Sequence, residues 1–127
     1  MKFLSVILFW MLPFFATIEI TDEIETAFKN GNAEAIAKYF DQSVDLKIVN
    51  QEDIFSKPQA TSILKDFFTK NQVRSFGIGH IGYSKNGDKF AIGSLVTITG
   101  RFKTYFLLKK DGEKFYIKQL RIETDSD

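Results

Sequence analysis

A chain of 127 residues is long enough for one domain with its own core and too short for two. With 44% apolar residues, 14 Phe and no Cys, it can pack without metals or crosslinks. Disorder, disulfides, thiol catalysis, a lipid-modified N-terminal Cys and Cys-ligated zinc are excluded. The net charge of +1 gives no overall pull towards nucleic acid or membranes, although residues 1–56 carry −5 and residues 57–127 carry +6.

Residues 1–16, MKFLSVILFWMLPFFA, differ from the rest: Lys2 precedes an uncharged apolar run from Phe3 to Phe15. That run is too short to span a bilayer of about 30 Å as a helix and reads as a signal peptide, which implies export to the periplasm or cell envelope. Cleavage after Ala16 would put Phe14 where a small residue is preferred. An uncleaved N-terminal anchor is therefore the second expectation, and the only route to membrane contact. Residues 17–127 read as a single domain.

From Thr21 the pattern is helical. Asp22 and Glu25 have capping-box spacing, and Ile24, Ala27 and Phe28 mark one face. Asn30-Gly31-Asn32 stops this helix and caps a second, carried by Ala33, Ile36, Ala37 and Phe40. Val44, Leu46 and Ile48 alternate as a strand, NQED reads as a turn, and Ser56 with Gln59 predicts a capping box with Pro58 in the first turn. Ala60, Ile63, Leu64, Phe67 and Phe68 then form the apolar face of a third helix, to about Asn71.

Beyond Val73 four strands are expected, at about 74–84, 89–98, 102–109 and 114–123, divided by Asn86-Gly87, Thr99-Gly100 and Asp111-Gly112. Gly77, Gly79 and Gly82 have the G-x-G-x-x-G spacing of a dinucleotide site. That motif needs a helix to receive the pyrophosphate, and here it runs into a hairpin instead, so the match is accidental. The glycines instead leave room for a helix, a bulge or a ligand to come close.

The expected fold is α+β, three N-terminal helices packed on a curved, mainly antiparallel sheet in the order α-α-β-α-β-β-β-β. Through ITDEIETAFKNGNAEAIAKYF, DIFSKPQATSILKDFF and the hairpins ending in GEKFYIKQLRIE, residues 21–123 resemble the nuclear transport factor 2-like superfamily, a cystatin-like cone. Within it, the apolar leader and compact form look like a small exported bacterial domain of unknown function. The resemblance implies a fold in which a bent sheet wraps helices around a pocket. Its motifs specify no chemistry.

Members resembling ketosteroid isomerase use a pocket Asp as base, with a Tyr and a protonated Asp as oxyanion donors. Between residues 74 and 110 the only acid is Asp88, in a hairpin turn, so that constellation is not visible. His80, Tyr39, Asp45 and Tyr105 remain as acid/base candidates, with no pair assignable from spacing. His80, the only histidine, reads either as a proton shuttle or ligand contact or as a hydrogen-bonded structural residue. One histidine without Cys or clustered acids assembles no metal site, and no cofactor is implied. In LLKKDGEKFYIK, Asp111 and Glu113 interrupt the lysines, which argues against nucleic acid.

A two-residue turn at Asp111-Gly112 sets Leu108 opposite Phe115, Phe106 opposite Ile117, Thr104 opposite Gln119 and Phe102 opposite Arg121. That face is the candidate pocket: Phe102, Phe106 and Ile117 as an apolar floor, with Thr104, Gln119 and Arg121 as anchors for a small apolar or anionic ligand. Arg121 also reads as a strand-end residue reaching water, Glu123 or Asp41. The opposite face, Leu107, Tyr116, Leu120 and Ile122, is the candidate interface for a homodimer or a protein partner. With a bulged turn at Thr99-Gly100, Tyr83, Ile81, Phe90, Ile92 and Val96 would share the core face, leaving His80 on the other side. The function this supports is a non-catalytic ligand-binding or protein-interaction module. A small lyase, isomerase or hydrolase is the alternative.

Overall fold

The computed structural model describes residues 19–125; the leader of residues 1–16 lies outside the described part. Three helices, α1 (Ile20–Lys29), α2 (Ala33–Ala37) and α3 (Lys57–Lys70), are combined with six strands. These are β1 (Phe40–Ile48), β2 (Gln51–Ser56), β3 (Val73–Tyr83), β4 (Lys89–Thr97), β5 (Gly100–Asp111) and β6 (Lys114–Thr124). They form one open sheet in the order β2-β1-β6-β5-β4-β3, antiparallel throughout except for the parallel pair β1–β6. The helices pack on one face, α1 against β3 and α3 against β1. The expected α+β architecture holds.

The helix signals act as the sequence predicts, with two exceptions: the first helix's cap, and Phe40, which opens β1 instead of continuing α2. Asn32 caps α2 by accepting from the Ala35 N–H at 3.0 Å. Ser56 and Gln59 form the reciprocal capping box of α3, with N–H to oxygen distances of 3.3 and 3.1 Å. The Asp22–Glu25 box does not form: α1 starts earlier, behind Glu19, which makes no side-chain cap. Asp22 stays in the first turn, where its charge suits the helix dipole, while Glu25 turns away to the sheet.

NQED is not a turn. The chain reverses at Val49–Asn50, with Ile48 opposite Gln51, and the added strand β2 runs straight into the α3 cap. Val49 has φ 56°, a left-handed conformation unusual for a β-branched residue. Its N–H donates to the Ile122 carbonyl at 2.8 Å, and its side chain packs on the core.

The β5–β6 register also differs. The turn closes as Asp111 opposite Lys114, around Gly112 with φ 66°, so Leu108 meets Ile117. A bulge then leaves Lys118 without a cross-strand partner, and Phe106 meets Leu120, Thr104 meets Ile122 and Phe102 meets Thr124. One extra residue reverses which side chains point inward.

The inner face is filled by phenylalanine. Phe28 stacks on Phe76 with ring centroids 4.6 Å apart, lies parallel to Phe106 at 6.2 Å and meets Phe68 edge-on, while Phe67 packs edge-on to Phe102. Gly93 makes this possible, since a Cβ there would lie 2.7 Å from the Phe76 ring.

Candidate functional site

The predicted pocket set is split between the two faces. Phe102, Thr104, Phe106 and Ile117 are buried in the core. Thr104 Oγ1 is a buried polar atom without a hydrogen-bond partner. Gln119 and Arg121 are carried to the outer face by the bulge: Gln119 Nε2 donates to Asp45 Oδ2 at 3.1 Å, and Arg121 pairs with Glu52 at 3.3 Å and Glu123 at 3.9 Å. The expected floor of Phe102, Phe106 and Ile117 therefore does not share a face with Gln119 and Arg121.

The predicted interface set is divided by the same bulge. Leu107 and Tyr116 are half-buried on the outer face, whereas Leu120 and Ile122 are fully buried in the core. Phe90, Ile92 and Val96, expected inside under a bulged turn, also point outward. The inward positions of β4 include Ala91, Gly93, Leu95 and Thr97, and Gly93 leaves the room that the Phe28–Phe76 stack needs. Ile81 and Tyr83 stay on the helix side but beyond its cover, and are exposed.

The acid/base candidates do not converge. Tyr39 lies on the helix side, where burial, its hydrogen bond to Glu23 and that carboxylate's charge push its hydroxyl up to about 12. Asp45, Tyr105 and His80 share the outer face on β1, β5 and β3. Gln119 and Leu107 follow Asp45 across the sheet, and Ile92 stands between Tyr105 and His80. Each candidate is thus two strands from the next, roughly 10 Å. That exceeds hydrogen-bond reach for a proton transfer. His80 is exposed, its ring 5.7 Å from that of Phe90.

The outer face instead brings together two rows of side chains. One runs Glu52, Lys47, Arg121, Tyr105, Ile92, His80 across the six strands; the next runs Ile54, Asp45, Gln119, Leu107, Phe90, Gly82. The Phe90 ring lies on Gly82, 2.1 Å from where a Cβ would be, so a side chain there would push that ring aside. An open depression of about 360 Å³ is lined by Ile92, Lys103, Tyr105, Gln119, Arg121 and Glu123. A second, of about 290 Å³, adjoins it at Gln119, beside Asp45, Ile54 and Leu107. Among the described residues no helix covers either. Sequence reasoning missed Ile54, Phe90 and Ile92 as members of this face. In KFAIGSLVT both parities are apolar, so alternation carried no signal.

Residues 21–123 match the family described as Domain of unknown function (DUF4783), and the chain belongs to it. A solved DUF4783 protein from Bacteroides ovatus is 33% identical, with 87% of this chain and 97% of that one covered and a TM-score of 0.78. One from Bacteroides uniformis is 31% identical, with 86% and 100% covered and a TM-score of 0.80. A domain with a cystatin-like fold from Nostoc punctiforme is 10% identical over 84% of this chain and 74% of that one, with a TM-score of 0.67, a likeness of fold alone. No curated protein matches the chain. The nuclear transport factor 2-like, cystatin-like resemblance thus holds.

Proposed function

We propose that this domain is a non-catalytic binding module, exported by its leading segment, which acts through the uncovered face of its sheet and pairs there with a second copy. The observation that carries the reading is the run of large apolar side chains on that face. Among the described residues Phe90, Ile92, Tyr105, Leu107 and Tyr116 are half-buried with no helix over them, and Ile54 is 69% exposed. An antiparallel sheet with one solvated face ordinarily alternates polar residues outward. Contiguous apolar surface of this kind marks an interaction site.

The charges on the face suit burial against a like surface. Glu52 with Arg121 and Lys47 with Glu123 are already paired, so covering them strands no lone charge. Asp45 and Lys103, of opposite sign and without an ion-pair partner among the described residues, would have to meet across the pair or stay at its rim. Against catalysis stand the separation of Asp45, Tyr105 and His80 and the engagement of Asp45 by Gln119. A small anionic ligand is the second reading, favoured by the depression where Tyr105 lies beside Lys103 and Arg121.

Native mass spectrometry of residues 17–127 tests both readings, since it reports subunit count and bound mass together. A dimer that Ile92→Lys with Leu107→Lys turns into a folded monomer supports face pairing. A reproducible extra mass on a monomer transfers the assignment to the ligand, and an empty monomer sinks both. Cell fractionation tests export: recovery of the full-length protein in the cytoplasm overturns it.

A further inference from the structure

The two edges of the sheet are closed by different means. On β2 the outward donors are taken locally: the Ile54 N–H by the adjoining Asp53 carboxylate at 2.8 Å, and the Ser56 N–H by Gln59 in the α3 cap at 3.1 Å. On β3 the Ile78 N–H is taken from a distance. Glu25 of α1, 53 residues earlier in the chain, accepts it at 2.8 Å. The Phe28–Phe76 stack is a further bridge between that helix and that strand.

We infer that the β3 edge is a latent strand-pairing surface held shut by Glu25, and that its occupant when opened is β3 of a second copy. Edge strands are ordinarily protected by Lys, Pro, inward charges or a covering element. VRSFGIGHIGY contains no Lys, no Pro and no acid, so among the described residues the protection rests on Arg74, on Glu25 and on the bulges at Arg74 and Gly79. These bulges bend the strand at either end and leave residues 75–78 regular. Gly77 and Gly79 have nothing within 4 Å of their Cβ positions, which leaves the strand clear for close backbone approach.

Charge selects this pairing over one through β2. In an antiparallel pair centred on Gly77, within the stretch 75–78 that lies between the bulges, Phe76 of each copy faces Ile78 of the other and the two exchange both N–H···O bonds, so no like charges are opposed. A β2 pair would crowd Glu52 and Asp53 of both copies together. The β3 pair is isologous and each copy has one such edge, so closed pairing doubles whatever state the outer face sets.

Sedimentation velocity on the full chain, over a concentration series, decides the question. Glu25→Ala is expected to raise the weight-average mass about twofold over wild type, as a closed pair requires. Glu25→Gln, whose amide oxygen still accepts, keeps the wild-type mass. Glu25→Ala with Ile78→Pro also keeps it, because proline removes the donor at an edge position where no ladder bond is lost. A folded Glu25→Ala protein of wild-type mass overturns the inference, and so does association that survives Ile78→Pro. If Glu25→Ala fails to fold, the carboxylate holds the fold rather than screening the edge, and the inference fails as well.

Discussion

The two faces of this sheet are both rich in aromatic side chains, yet they differ in what covers them. On the inner face Phe76, Phe102 and Phe106 meet Phe28, Phe67 and Phe68 from the helices, and all six are buried. On the outer face Phe90, Tyr105 and Tyr116 are half-buried among their strand neighbours, with no helix over them among the described residues. A cone of this fold can keep a hollow between helices and sheet; here phenylalanine rings fill it. The groups able to meet another molecule, Arg121, Gln119, Asp45 and Tyr105, stand on the far side of the same strands.

The largest effect that would test this difference comes from removing one ring on each side. Phe28→Ala deletes a fully buried ring that touches Phe68, Phe76 and Phe106, and is expected to lower unfolding free energy by about 3–5 kcal/mol. Phe90→Ala removes a half-buried ring and exposes Gly82, an effect nearer about 1 kcal/mol. Urea unfolding followed by circular dichroism compares the two. Equal losses would mean that the outer ring is as much a part of the core as the inner one.

Much of this division was readable before the structure, and one residue explains most of what was not. The three helices, the α3 capping box and the four closing strands follow from caps, periodicity and turn glycines, all local signals. The inward and outward assignment of β6 depends on the bulge that leaves Lys118 unpaired. That bulge arises from the tertiary fit of β5, β6 and β1, where the freed Lys118 reaches Asp41 at 3.3 Å, and no turn or propensity rule marks it. One uncounted residue moved Gln119 and Arg121 out of the expected pocket and Leu120 and Ile122 out of the expected interface. The Glu25 contact was hidden for a related reason. Its spacing from Asp22 fits a helix cap, and its real partner lies 53 residues away.

Thr104 offers a smaller test of the claim that the inner face serves packing. Its hydroxyl is buried beside Ile122 and Gly93 with no partner, so it contributes no hydrogen bond to offset its lost hydration. Thr104→Val is expected to stabilise the fold by about 1 kcal/mol, visible as a higher urea midpoint at unchanged slope. A destabilised variant would mean that the hydroxyl has a partner in solution, and would return Thr104 to the list of binding residues.

The smallest expected effect lies at the end of the sheet, where one carboxylate ties the two hairpins together. Asp88, in the β3–β4 turn, accepts the Lys110 N–H of β5 at 2.9 Å and pairs with Lys109 at 3.4 Å. The Lys110 hydrogen bond first, and Lys109 after it, hold its carboxyl below the ordinary carboxylate range. Because the folded pKa is the depressed one, the stabilisation is complete above the unfolded value of about 3.9 and disappears as pH falls through the lower folded value. Asp88→Asn keeps an oxygen for the Lys110 N–H but removes the charge, so its stability should fall less steeply between neutral and acid pH than that of the wild type. The slope will not vanish. Asp41, held down chiefly by the Gln42 N–H and then by Lys118, loses stabilisation in the same direction. Urea midpoints measured across that range should therefore converge for wild type and Asp88→Asn at the acid end. Curves that stay parallel would show that the Asp88 charge does nothing to fasten the hairpins.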